Sequence, residues 1–213
     1  LLSGSEDNDI HEYFRRSAFP KERWVVSILE TLEESQGLNN PNEKPVVVCS
    51  LGDGSVTEGE IAEALQMAVL KKLPMVYFVQ DNDWGISASG DEMRAMDAYE
   101  YAAGFKGLER RRVDGSDFVA SYQAIKECLA YVRIHRAPIL LHAKVPLLGH
   151  HTSGVRKEWY RTDDDMAKHT AIDPFDKLKV YLLDNGIANA QEIEKINEEA
   201  TAYVANQFND AVN

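Results

Sequence analysis

Three places in the sequence carry residues whose types and spacing could do chemistry. They are an acid between two glycines at Gly52-Asp53-Gly54, an acid and amide cluster at Gln80-Asp81-Asn82-Asp83-Trp84, and adjacent histidines at Gly149-His150-His151. The glycines let the backbone turn sharply and approach a ligand closely. Thr57 and Glu60 have the spacing of a capping box, which would start a helix just past them. A helix start there aims free backbone N–H groups and the positive end of the helix dipole at the space above, which favours phosphate. Asp53 would repel a bare phosphate. A hard cation between the two resolves the conflict, because Mg²⁺ takes oxygen ligands and bridges carboxylate to phosphate oxygens. Asn82, with a neutral amide oxygen, suits the second protein donor.

These groups converge only if the elements below them bring the loops to one edge. From Val46 onward, apolar runs of strand length alternate with helical patterns, the signature of a parallel sheet with crossover helices. Strands are expected at Val46 to Leu51, Met75 to Val79, Glu109 to Val113 and Ile139 to Val145. Helices are expected from Glu58 to Leu73, stopped by Pro74, and from Phe118 to Ile134. The expected fold is α/β, a mostly parallel sheet with helices on both faces. In such a sheet loops that follow successive strands share the carboxyl edge, where open α/β folds bind ligands. The core should span residues 43–172. Residues 1–42 form a polar segment with one amphipathic helix near Pro20 to Glu34, and residues 173–213 a tail of two helices, Phe175 to Leu183 and Gln191 to Phe208. The charged segment after the histidine loop should be largely exposed. His142, inside an apolar strand, reads as a satisfied core residue.

Composition limits the function classes. The 213 residues are 44% hydrophobic and 27% charged, an ordinary globular balance. A formal charge of −12 argues against nucleic acid as a partner, since phosphate neutralisation needs clustered Lys and Arg. The run Arg110-Arg111-Arg112, at the edge of a strand, reads as a solvated or ion-paired patch. No apolar run is long enough to span a bilayer. Two cysteines, Cys49 and Cys128, set no metal spacing and fit a reducing compartment, cytoplasmic in a bacterium or the mitochondrial matrix in a eukaryote. The start at Leu1 suggests an excised piece of a longer chain.

Gly-Asp-Gly alone also fits a tight turn in a nucleotide- or phosphate-binding α/β domain, and that alternative stays open at this point. Joined to Asn82, the motif resembles the thiamine-diphosphate signature, a Gly-Asp-Gly followed at a set distance by an Asn pair. The runs Gly52 to Glu60, Asp81 to Ser87 and Arg112 to Asp117 look most like the α chain of 2-oxo acid dehydrogenase E1 components, over roughly Val46 to Leu183. The resemblance implies the thiamine diphosphate-binding PP-domain fold. It implies Mg²⁺ held by Asp53, the Asn82 side chain and the Trp84 carbonyl. Gly52, Gly54 and Ser55 would lie against the diphosphate, and Ile86 near the thiazolium ring.

By the same resemblance His151 serves the diphosphate and the reaction, and Tyr160-Arg161 matches the Tyr-Arg after the family's loop. Thr152 stands where some relatives carry a regulatory serine. The implied activity is oxidative decarboxylation of a 2-oxo acid with acyl transfer to a lipoyl-bearing E2 acyltransferase. The Gly-His-His form leans toward branched-chain substrates. A Glu that activates the cofactor would come from an E1 β subunit or fused β (Pyr) domain, so an oligomer is expected and this chain should not turn over alone. The sequence also departs from the family. Asp81 replaces the first Asn of the pair, and Pro146-Leu147-Leu148 stands where an aromatic and Arg are usual. No acidic pair precedes Tyr160, and the first forty-odd residues lack the expected Tyr-Arg diphosphate contacts. A degenerate scaffold therefore remains a second alternative.

Overall fold

The computed structural model describes residues 40, 43–152 and 154–212. The helix expected near Pro20 to Glu34 lies outside the described residues. Four strands form one sheet: β1 (Val47–Gly52), β2 (Met75–Asp81), β3 (Glu109–Asp114) and β4 (Ile139–Lys144). All pair in parallel, in the order β1-β2-β4-β3. The central strands are the two with the longest apolar runs. β4 is buried on both faces, whereas β1, at the margin, alternates half-buried and exposed residues.

Helices cover both faces, as expected. Alternation along the strands sends Tyr77, Val79 and Leu140 to one face, where they meet Leu65 and Ala68 of α1 (Gly59–Lys71) and Ala98 and Ala102 of α3 (Ala98–Ala102). Val76, Ile139 and Leu141 point the other way, onto Cys128 and Val132 of α4 (Phe118–His135). Continuing the alternation by one step puts Asp81 and His142 on the α1 and α3 face, at the carboxyl ends of their strands. A sheet interior thus ends in two polar residues.

Several local expectations need correction. Thr57 does not cap α1. A 3-10 turn over Gly54–Thr57 comes first, the Thr57 hydroxyl donates to the Gly54 carbonyl at 2.7 Å, and Glu58 stands at the N-cap without a side-chain bond. The arginine run lies within β3, not at its edge. Arg111 pairs with Glu127, Arg112 with Asp97, and Arg110 lies over the Tyr99 ring, 4.2 Å from its centroid. The charged segment after the histidine loop is largely exposed, as expected: it forms α5 (Asp163–Thr170), capped by the Thr162 hydroxyl, and the exception is Arg161 just before it, which is buried. Two helices follow, α6 (Pro174–Asp184) and α7 (Ala190–Val212). Along α7, among the described residues, Ile193 is buried while Ile196, Tyr203, Val204 and Phe208 are exposed. No helix among the described residues is long and apolar enough to cross a membrane.

The turn after β3 has little spare room. A Cβ added at Gly115 would lie 2.5 Å from Val145 Cγ1 and 2.8 Å from the Lys144 carbonyl oxygen. Backbone cannot yield as a side-chain tip does, so Gly115→Ala should destabilise the chain by about 1–3 kcal/mol through overpacking. The urea midpoint measures it, and an unchanged midpoint would contradict this packing.

Candidate functional site

The first two chemistry-bearing loops meet at the carboxyl edge. A Cβ built on Gly54 would lie 4.0 Å from the Gly85 backbone, so the Asp53 turn and the Asn82 loop are in van der Waals reach. Asp53 is 4% exposed and Asp81 fully buried. The parallel register that brings β1 beside β2 is what places them there.

Arg94 joins the two loops. A short helix, α2 (Gly90–Met93), precedes it, and Glu92 closes the start of that helix by accepting from the Ser89 backbone N–H at 2.8 Å. From the end of α2 the guanidinium donates from Nη1 to Asp53 Oδ2 at 2.7 Å. Its Nη2 donates to Asp81 Oδ1 at 3.0 Å and to Asp83 Oδ1 at 2.8 Å. Gly90 makes this possible, since a Cβ there would sit 2.1 Å from Asp83 Oδ1 and 2.8 Å from Arg94 Nη2. Asp83 itself adopts a left-handed backbone, φ 68°.

Asp81 is the hub below. His142 Nε2 lies 2.8 Å from its Oδ2, and Lys144 Nζ 3.2 Å away. Burial opposes its ionisation, but the His142 hydrogen bond, Lys144 and Arg94 outweigh that and hold its carboxyl well below the usual carboxylate range. For Asp53 the balance reverses: burial and the neighbouring Asp81 charge raise it, against the pull of Arg94. The expectation that His142 is a satisfied core residue is half met. Its Nε2 is bonded to Asp81, whereas its buried Nδ1 has no hydrogen-bond partner.

Asn82 Oδ1 accepts from the Trp84 backbone N–H at 3.0 Å, a turn that shapes the loop. An amide oxygen has a second lone pair, so the bond leaves one free. Among the described residues no group of three or more His, Cys, Asp or Glu side chains is arranged to hold a metal. A carboxylate and an amide are too few for a closed structural site. They suit an ion that keeps water and shares phosphate oxygens, as Mg²⁺ does. Asp53 already carries a cationic group in Arg94, which shows that a positive charge is accommodated there. Ser55 is exposed, Ile86 is 49% exposed, and Gly52 and Gly54 line the turn.

The histidine loop is tied to the second loop through Trp84. The Tyr160 ring lies 5.4 Å from the Trp84 ring and Arg161 sits over its face at 5.5 Å. Arg161 also donates to the Leu147 carbonyl at 2.8 Å. His150 Nδ1 accepts from the Lys157 backbone N–H, while His151 and Thr152 are exposed. So the Asp53 turn abuts the loop that carries Asn82 and Trp84, and His151 is exposed, without a hydrogen bond among the described residues. Sequence reasoning missed Arg94. The available signal was charge: three carboxylates at Asp53, Asp81 and Asp83 on facing loops need a cation between them.

The site is thus a parallel α/β sheet with an acid and an amide on abutting loops at its carboxyl edge. The chain belongs to the dehydrogenase E1 component family, whose pattern matches residues 35–213. It is 32% identical over 171 residues to a 3-methyl-2-oxobutanoate dehydrogenase α subunit of Mycobacterium tuberculosis, an alignment covering 80% of this chain and 46% of that protein. A pyruvate dehydrogenase E1 α subunit of Mycoplasma pneumoniae is 33% identical over 161 residues, 74% of this chain and 45% of that one. The chain spans about half the length of the relatives it matches. Among solved structures, a Campylobacter jejuni transketolase aligns with 56% of this chain and 18% of its own, at TM-score 0.42 and 23% identity.

Proposed function

We propose that this chain is the diphosphate- and Mg²⁺-binding part of a thiamine-diphosphate-dependent 2-oxo acid dehydrogenase E1 component. The observation that carries the reading is the pair of abutting loops that present Asp53 and Asn82 at one sheet edge, in a chain of the E1 family. Asp53, the Asn82 amide oxygen and the Trp84 carbonyl would hold Mg²⁺. Backbone N–H groups at Gly54 and Ser55, ahead of α1, would face the diphosphate, with Gly52 permitting the close approach. Ile86, half exposed on the same loop, would lie against the thiazolium ring. His151 would donate to phosphate or move a proton, both within the chemistry of an imidazole. Thiamine diphosphate, when bound, supplies the electron sink that makes decarboxylation possible. The protein's share is to orient it and to keep water out.

The whole activity requires more than this chain. An E1 β subunit or fused β domain would complete the site, and a lipoyl-bearing E2 acyltransferase would take the acyl group. The substrate class is a 2-oxo acid, with a branched-chain one the first to assay. Two free thiols fit a reducing compartment, the cytoplasm or the mitochondrial matrix. Calorimetric titration with thiamine diphosphate and Mg²⁺ tests the reading. Binding should be weak for the chain alone and at least about tenfold tighter with a β partner, because a shared site is completed only in the assembly. Equal, tight binding with and without the partner would contradict a shared site.

A further inference from the structure

Arg94 lies outside every motif discussed for cofactor binding, yet it holds both loops. We propose that Arg94 is an exchange residue: its guanidinium occupies Asp53 until a divalent cation takes that carboxylate, and the freed Nη1 then donates to the diphosphate. The inference rests on the reading of Asp53 as a metal ligand.

The two terminal nitrogens have separate partners. Nη1 holds Asp53 on the first loop, whereas Nη2 holds Asp81 and Asp83 on the second. Loss of Asp53 to a cation therefore leaves Arg94 anchored through Nη2, with Nη1 beside the carboxylate it has left. A guanidinium is a rigid fork of five donors, so one arm can change partner while the other keeps its own. Lys144 could not take this place as readily: it reaches Asp81 and Asp83, but its side chain is 54% exposed. Room for the turn exists. Arg94 borders a cavity of about 200 Å³ with Val56, Thr57, Met93, Met96 and Tyr101. The need also exists, because a diphosphate carries more negative charge than one divalent ion neutralises.

The exchange predicts opposite signs for two ligands. Mn²⁺ alone should bind Arg94→Gln at least about tenfold more tightly than the parent, since the internal competitor is gone and the competent state is no longer a minor fraction. Inorganic pyrophosphate in the presence of Mn²⁺ should bind the same variant at least about tenfold more weakly, for want of a charge-assisted donor. Arg94→Lys keeps a competing charge but not the fork. It should hold Mn²⁺ within about twofold of the parent and still lose pyrophosphate affinity, and it decides the matter alone if Arg94→Gln does not fold. A structural role would shift both affinities of Arg94→Gln in one direction or neither, and that result overturns the exchange. Asp53→Ala separates the two levels. If it binds Mn²⁺ like the parent, or if the parent and Arg94→Gln bind none, the metal-site reading fails and takes the exchange with it. If it loses Mn²⁺ while Arg94→Gln moves both ligands together, only the exchange fails.

Discussion

Asp53→Ala should weaken Mg²⁺-dependent thiamine diphosphate binding by at least about 100-fold, since even outer-shell partners of a metal ligand are worth 10- to 100-fold. The fold should survive the change. Burial and the nearby Asp81 charge already disfavour ionised Asp53, so its removal relieves a repulsion. Arg94 keeps Asp81 and Asp83 as partners. Calorimetry with and without Mg²⁺ reads the loss, and a far-ultraviolet melt reads the fold. Unchanged Mg²⁺ dependence would remove Asp53 from the site.

Asp81→Ala should do the reverse: a large loss of stability, about 3 kcal/mol, whether or not cofactor is present. Asp81 is fully buried and balances Arg94, Lys144 and the His142 ring. Breaking a buried pair from one side leaves the other partner unpaired, at a cost of about 3–5 kcal/mol. The lower figure applies because Arg94 retains two carboxylates. The pH dependence has a definite sign. The folded carboxyl lies below its unfolded value of about 3.9, so its contribution is complete above that pH and is lost as pH falls through the lower, folded value. The gap in unfolding free energy between parent and Asp81→Ala should therefore be full at pH 7 and should narrow below about pH 4. A gap that stays constant down to strong acid would mean that Asp81 acts by packing alone.

The two variants also show what was legible in the residues themselves. The four strands were legible to within two residues: β1, β2 and β4 from their apolar runs, and β3, which carries the arginine run, from the Asp114-Gly115 turn that ends it. Local patterns also located α1 and α4, whose stops at Pro74 and at the turn before Ile139 are local features. Asp53 and Asn82 were legible for a similar reason: glycine, acid and amide in strand-end loops are short-range signals. Arg94 was not. It acts from the end of a four-residue helix, across 41 positions to Asp53, and no local pattern encodes that distance. Thr57 misled because its hydroxyl has two nearby choices, a capping bond or the Gly54 carbonyl, and the 3-10 turn favours the second. The exposed His151 belongs to a loop whose anchors, Tyr160 and Arg161 on Trp84, form only in three dimensions.

Position 83 shows how the loop balances shape against charge. Its backbone twist suits a residue without a side chain, and an ordinary residue pays about 1 kcal/mol to adopt it, although Asp is among the least reluctant. Glycine would ease that turn but would take away the carboxylate that meets Arg94 and Lys144. Conformational comfort and ionic partnership thus pull this residue in opposite directions, and the acid is kept in an awkward posture by the two cations it faces.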